Sequence, residues 1–230
     1  MTSIQTAIQE IRLQLPEGVR LLAVSKTHPV AFIEEAYAIG QRDFGENKVQ
    51  EMTAKAEALP GDIRWHLIGH LQTNKVKYIA PFVHMIHSID SQKLLDTVEK
   101  EAAKAQRVVK CLLQVHVAKE ETKFGFSPDG LKAFLTDGKY KELPHVQICG
   151  LMAMATNTDD SAEVEREFEE VRQLFLAAKG EFFPDDENFC ELSMGMSGDY
   201  KLAIAHGSTC VRIGSRIFGL RDYSKQNSAI

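Results

Sequence analysis

Lys26 ends an apolar run, LLAVSK, and the three residues that follow, Thr27-His28-Pro29, are typical of a turn. In a strand, alternation places Lys26 on the same side as Leu22 and Val24. Partly apolar surroundings disfavour the charged form of a lysine, and the neutral amine can attack a carbonyl carbon to form a Schiff base. The alternative is an ordinary lysine whose ammonium group reaches solvent. The position of Lys26 alone favours the ordinary solvent-exposed lysine, so a second feature of the sequence is needed to choose between the two interpretations.

The second feature is the segment LSMGMSGDYKLAIAHGSTCVRIGSRIFG, residues 192–219. This segment predicts two short strands, each followed by a loop of Ser and Gly and then by a helix. Backbone N–H groups and hydroxyls in such loops can bind a phosphate, and glycine lets the chain approach the anion closely. We therefore predict a phosphate cradle from Ser193, Met194, Gly214 and Ser215, mostly through main-chain N–H groups. Tight strand-to-helix turns without a ligand use the same residue types.

A Schiff-base lysine and a phosphate cradle together match pyridoxal 5′-phosphate (PLP), an aldehyde that carries a phosphate. Arg212 then has a candidate role at the pyridine nitrogen of that cofactor. Arginine is always protonated and can only donate to an unprotonated nitrogen, so the ring would be a weaker electron sink than one paired with an aspartate. The alternative for Arg212 is a salt bridge at the surface.

Short apolar runs alternate with segments of 3.6-residue periodicity along the chain, which predicts eight strand-helix units. This is the pattern of an α/β fold, a single (β/α)8 TIM-type barrel, with a doubly wound open sheet as the alternative. A further helix, around residues 3–15, precedes the eight units. The predicted strands are RLLAVSK, RDFG, IRWHLIG, MIHSID, VVKCLLQVHV, VQICGLMAM, NFCELSM and TCVRIG.

In either architecture the ligand site lies at the carboxyl ends of the strands. The residues at those ends are small, polar or reactive, and they include both features described above. They are Lys26, Gly45-Glu46-Asn47, Gly69-His70, Ser88-Ile89-Asp90, the segment before Lys123-Phe124-Gly125, Met152-Ala153-Met154, Ser193-Met194-Gly195 and Gly214-Ser215.

Composition favours ordinary soluble chemistry in the cytoplasm. The 230 residues are 44% hydrophobic with a net charge of −5, which predicts one domain over 1–230 and neither nucleic acid nor a membrane as a partner. No secretion signal or long apolar span is evident. No metal site is predicted, because the four cysteines are far apart and His66 and His70 lie too far apart along a strand to chelate readily.

Seven motifs, in order along nearly the whole chain, resemble the pyridoxal phosphate homeostasis protein family, also called the PLP-binding or proline synthetase co-transcribed family. The resemblance implies a single-domain barrel similar to the amino-terminal domain of alanine racemase, with PLP bound to the lysine of VSK. The motifs are AVSKTHP, FGENKVQE, WHLIGHLQTNK, HSIDS, ETKFGF, GLMAM and LSMGMSGDY followed by AIAHGSTCVRIGSRIFG.

The same resemblance implies a role for individual residues of this chain. Lys26 would carry the cofactor, Arg212 would face the pyridine nitrogen and Asn47 would lie beside the ring. The phosphate contacts implied by LSMGMS and IGS fall on Ser193, Gly214 and Ser215.

Two functions use this lysine, a cofactor carrier and an amino-acid racemase. Racemisation needs two acid/base groups on opposite faces of the bound amino acid, and in alanine racemase the second is a tyrosine from a separate domain. The residues after the eighth predicted strand, LRDYSKQNSAI, are too few for such a domain, and no tyrosine, Tyr223 included, is a convincing substitute. We therefore expect no catalytic residue, a monomer, and delivery of PLP to PLP-dependent apoenzymes.

Overall fold

The computed structural model describes residues 1–119 and 124–219 as a closed barrel of eight parallel strands in sequential order. Closure is direct, because Leu22 on the first strand pairs with Arg212 on the last. The predicted (β/α)8 barrel is confirmed and the open sheet is excluded. Lys123 and Tyr223, named above, lie outside the described residues. The strands are β1 Arg20–Val24, β2 Asp43–Glu46, β3 Arg64–Leu67, β4 Met85–Ile89, β5 Val109–Val115, β6 Val146–Ala153, β7 Glu191–Ser193 and β8 Cys210–Ile213.

Nine α-helices surround the barrel over the described ranges, with two 3-10 turns at Thr73–Lys75 and Lys139–Glu142. None of these helices is both long and apolar enough to cross a bilayer. They are α1 Ser3–Gln14, α2 Val30–Tyr37, α3 Val49–Ala58, α4 Val76–Ile79, α5 Gln92–Lys104, α6 Pro128–Asp137, α7 Ser161–Phe182, α8 Tyr200–Ala205 and α9 Ser215–Phe218.

The predicted extra helix is α1, and it begins at a capping box in which Thr2 and Gln5 bond each other's backbone. Its buried face is a stripe of Ile4, Ile8 and Ile11, spaced as one side of a helix requires. It packs against α2 and α9. The helix therefore covers the flank where the first and last units of the barrel meet.

Side chains alternate between two layers. Leu21 and Ala23 belong to the large apolar core between the strands and the helices. The barrel lumen holds a smaller apolar cluster of Met85, Leu112, Cys149 and Met152. Polar side chains fill much of the rest of the lumen, whereas an apolar filling is usual for this fold. The buried polar side chains concerned are Asp43, His66, His87, Ser193 and Arg212.

Candidate functional site

A cavity of about 380 Å³, here called the mouth cavity, opens at the carboxyl ends of the strands. A larger groove of about 690 Å³ lies by the amino end of β6. Ligand sites of these barrels lie at the carboxyl ends of the strands, so the mouth cavity is the candidate site. It is lined by Val24, Lys26, Asn47, Ile68, Gly69, His70, Gln114, Phe124, Met154, Met196, Ser197, Gly198, Arg212, Gly214 and Ser215.

Five of the seven residues predicted to contact the cofactor line the mouth cavity, namely Lys26, Asn47, Arg212, Gly214 and Ser215. Ser193 and Met194 do not, and both are fully buried. The reason is that β7 ends at Ser193, whose hydroxyl lies in the barrel lumen against His87 and Arg212. Met196, Ser197 and Gly198, further along the same loop, line the cavity where Ser193 and Met194 had been predicted.

The backbone before Lys26 is held by a buried ion pair behind the barrel wall. Ser25 donates from its hydroxyl to Oε1 of Glu46 at 2.6 Å. Lys55 on α3 donates from Nζ to the carbonyl oxygen of Ser25 at 2.8 Å and to Oε1 of Glu46 at 2.7 Å. Burial raises the pKa of Glu46 to about 7, against the opposing effect of the Lys55 charge. These bonds tie the end of β1 to β2 and α3.

The backbone after Lys26 is held from the same helix. Thr27 has a φ of +68°, a conformation that β-branched residues rarely adopt and that costs on the order of 1–3 kcal/mol. Its N–H donates to Oε1 of Glu51 at 2.6 Å, and Lys55 donates to the same oxygen at 2.7 Å. Helix α3 therefore secures the residues on both sides of Lys26, which lines the cavity between them.

Arg212 is 4% exposed and makes no surface salt bridge within the described residues, which argues against that alternative. Its Nη1 donates to the carbonyl oxygen and to Oγ of Ser193, at 2.7 and 2.8 Å. Its Nη2 donates to the carbonyl oxygen of Ala153 at 2.8 Å. A guanidinium has five N–H donors, so two have no partner among the described residues and are available to a ligand. Burial lowers the pKa of Arg212, but a guanidinium stays protonated at neutral pH.

The two predicted Ser/Gly loops meet at the cavity, since the N–H of Gly214 lies 3.3 Å from Oγ of Ser197. A Cβ on Gly214 would lie 3.0 Å from the carbonyl oxygen of Val24. Glycine therefore lets the loop after β8 pack closely against the end of β1, near Lys26. An amine, a guanidinium with unused donors and two donor-rich loops around one cavity fit an aldehyde, a ring nitrogen and a phosphate, the three parts of PLP.

Gly69 controls the position of Asn47. A Cβ added to Gly69 would lie 2.4 Å from the carbonyl oxygen of Asn47 and 2.8 Å from its Cα. Gly69→Ala should therefore displace Asn47 and lower the free energy of unfolding by about 1–3 kcal/mol, the usual cost of overpacking. Urea unfolding measures this. Gly61→Ala is the matched control, because that Cβ meets nothing within 4 Å; equal stability of the two variants would contradict the prediction.

His70 is a residue of the mouth cavity that the prediction of contacts missed. Its ring stacks on Phe124 with centroids 3.7 Å apart, and its Nδ1 lies 3.3 Å from Oδ2 of Asp90. No tyrosine of the described chain lines the cavity. The available signal in the sequence was the position of His70 shortly after the end of β3, because most other residues of the mouth cavity also follow strands. His70 is thus a second titratable group in the cavity with Lys26.

Comparison with known proteins agrees with this fold. The family model for the alanine racemase N-terminal domain matches residues 1–222, which is the class of barrel seen here. Alanine racemase of Clostridium difficile, at 10% identity, shares the fold over 95% of this chain and 56% of its own, with a TM-score of 0.75.

Two closer relatives are more specific. The pyridoxal phosphate homeostasis protein of Aquifex aeolicus is 42% identical over 206 residues, or 89% of this chain and 88% of the relative. A solved structure of PipY from Synechococcus elongatus PCC7942 with PLP bound is 41% identical, covers 94% of this chain and 100% of PipY, and has a TM-score of 0.86. The chain belongs to the pyridoxal phosphate homeostasis protein family, which confirms the resemblance found in the sequence.

Proposed function

We propose that this protein binds PLP in the mouth cavity as a Schiff base on Lys26. The observation that carries the proposal is that Lys26, Arg212 and the loop of Gly214 and Ser215 line one cavity. The bound PLP in the solved PipY structure, 41% identical to this chain, supports it. The cofactor supplies an electrophilic aldehyde and an aromatic ring that can accept electrons.

Other residues of the cavity then take three roles beside that of Lys26. Asn47 lies beside the ring, and Arg212 donates a free N–H to the ring nitrogen. Gly214 and Ser215 bind the phosphate, together with Ser197 from the facing loop. Because a guanidinium does not give up its proton, Arg212 keeps the ring nitrogen unprotonated and the ring a weak electron sink. That electronic state suits holding the cofactor better than carbanion chemistry.

The protein acts in this proposal as a carrier that buffers PLP in the cytoplasm and delivers it to PLP-dependent apoenzymes. Effects on amino-acid and keto-acid metabolism then follow from cofactor supply. The working unit is a monomer formed by one domain over residues 1–230. The names of the relatives, pyridoxal phosphate homeostasis protein, support this role over an enzymatic one.

A second candidate function is amino-acid racemisation, and one observation favours it. His70 lines the same cavity as Lys26 and is oriented by Asp90. Two such groups could serve opposite faces of a bound amino acid, with one removing the Cα proton and the other returning a proton. No tyrosine is then needed.

Deuterium exchange separates these two functions. PLP-loaded protein is incubated with L-amino acids in deuterated water. Proton NMR should then detect no exchange at Cα at enzyme-like rates, which are on the order of 1 per second. The same sample should restore activity to a PLP-dependent apoenzyme. Exchange at enzyme-like rates that disappears in both Lys26→Ala and His70→Gln would establish the racemase and reject the carrier.

A further inference from the structure

Five buried side chains form a continuous set of hydrogen bonds across the barrel lumen, here called the lumen network. Nε2 of His66 lies 3.1 Å from Oδ1 of Asp43, and Nδ1 of His66 lies 2.9 Å from Nε2 of His87. Nδ1 of His87 lies 3.1 Å from Oγ of Ser193, which accepts from Nη1 of Arg212 at 2.8 Å. The network runs from β2 through β3, β4 and β7 to β8.

The hydrogen bonds of the lumen network have one consistent direction. Burial by itself raises the pKa of Asp43, but hydrogen bonds from Arg64 and His66 outweigh it and hold that pKa well below its usual value. Asp43 is therefore an acceptor, so His66 donates from Nε2 and accepts at Nδ1 from His87. His87 in turn accepts, at Nδ1, a hydrogen bond from the hydroxyl group of Ser193. Every donor then points from Arg212 towards Asp43.

Burial makes this arrangement costly to break. His66, His87 and Ser193 are 0% exposed. Burial lowers the pKa of both histidines, so each stays neutral with one donor and one acceptor nitrogen, and both nitrogens are used. Among the described residues, Arg212 donates hydrogen bonds only to neutral oxygen atoms, those of Ser193 and Ala153. The lumen network connects that buried cation to the carboxylate of Asp43, and aligned hydrogen bonds of this kind strengthen one another.

We propose that the lumen network is a positioning device for Arg212, and that Ser193 acts on the cofactor through Arg212 rather than by contact with the phosphate. This inference rests on the proposed function, since it assumes that PLP binds with its ring nitrogen at Arg212. Ser193 holds Nη1 through two acceptors, so the guanidinium keeps one orientation and its unused N–H groups stay available to the ring.

The test compares PLP with pyridoxal, which has the ring and aldehyde but no phosphate. Ser193→Ala should weaken both ligands by the same factor, on the order of tenfold, the usual effect of one hydrogen bond to a charged group. In an Arg212→Met background, Ser193→Ala should have no further effect. Fluorescence titration measures all four proteins. Loss confined to PLP, equal loss in the Arg212→Met background, or no loss at all would each overturn the proposal.

A second variant lies further from the cavity. Ser193→Ala and His87→Gln should both shift the pH at which the visible absorption of bound PLP changes, and in the same direction as each other. A purely structural role of His87 would lower stability without that shift. An unchanged absorption titration would overturn the proposal. Failure of the proposed function is distinguishable, because the unmodified protein would then retain no visible absorption after incubation with PLP and removal of the unbound cofactor.

Discussion

Replacing Lys26 with alanine should abolish the covalent adduct between the protein and PLP. After incubation with PLP and removal of the unbound cofactor, the unmodified protein should be yellow. It should lose that absorbance on borohydride reduction and should carry the reduced cofactor on the peptide that contains Lys26. The Lys26→Ala variant should show no reducible absorbance and no mass adduct, because the Schiff base requires a primary amine. It should remain folded, since Lys26 lines the cavity rather than the core.

Lys48→Ala is the matched control for this experiment. Lys48 is exposed, lies beside Asn47 in the sequence, and does not line the mouth cavity. If proximity to the cavity were sufficient, Lys48 would be trapped as well and the adduct would be divided between two peptides. An adduct that persists in Lys26→Ala, or one that disappears in Lys48→Ala, would reject Lys26 as the anchor.

Lys26, Gly214 and Ser215 were predicted at strand ends, and they line the mouth cavity because closure of the barrel brings every carboxyl end to one face. Their positions relative to each other follow from topology alone, as Lys26 follows β1 and Gly214 follows its neighbour β8. Ser193 was also predicted at a strand end, but its side chain lies in the lumen. A strand end could be located only to within a few residues, and the alternation of side chains then decides whether a residue faces the lumen or the loop.

The contents of the lumen could not be predicted from one sequence. Alternation shows which residues of a strand share a side, but not which strands face each other across the barrel. His87 on β4 and Ser193 on β7 are 106 positions apart and still share a hydrogen bond. His66 and His70 are close in sequence, yet His66 lies in the lumen and His70 lines the mouth cavity.

The burial of Lys55, which helps to hold the backbone next to Lys26, could not be predicted from the sequence for a related reason. Lys55 lies in a helix whose other buried residues are Val49 and Met52, and a charged residue in a helix is ordinarily placed on the solvent face. Its burial follows from the carboxylate of Glu46, a residue that the sequence marked only as a strand end. Buried charges are retained when they are paired, and that pairing is a tertiary contact.

Lowering the pH from 7 to 5 should destabilise this protein well before its surface carboxylates titrate. Burial lowers the pKa of His66 and His87, and lowers that of His84 to about 4. A group whose pKa is depressed by folding contributes stability above its unfolded pKa, near 6.5 for histidine. That stability is lost as the pH falls, because the unfolded chain takes up protons that the folded chain excludes.

Glu46 acts in the opposite direction over the same pH range. Its pKa is raised to about 7, so the folded protein takes up a proton there while an unfolded glutamate does so only near pH 4.3. Asp43 does not contribute in this window, because its depressed pKa makes stability fall only below about pH 4. Three histidines with lowered pKa values outweigh one glutamate with a raised pKa, so the unfolded chain takes up more protons than the folded chain, by at most about two. The free energy of unfolding should therefore fall as the pH is lowered, by no more than about 2.7 kcal/mol per pH unit.

Urea unfolding at pH 7, 6 and 5 measures this slope, and two variants assign it. His87→Gln removes one histidine and should make the slope shallower by about 1.4 kcal/mol per pH unit. Glu46→Gln removes the opposing group and should make it steeper by a similar amount. Both variants change absolute stability, but each slope compares one protein with itself. A flat pH dependence in the unmodified protein, or variants that leave the slope unchanged, would mean that the lumen histidines are protonated in the folded state.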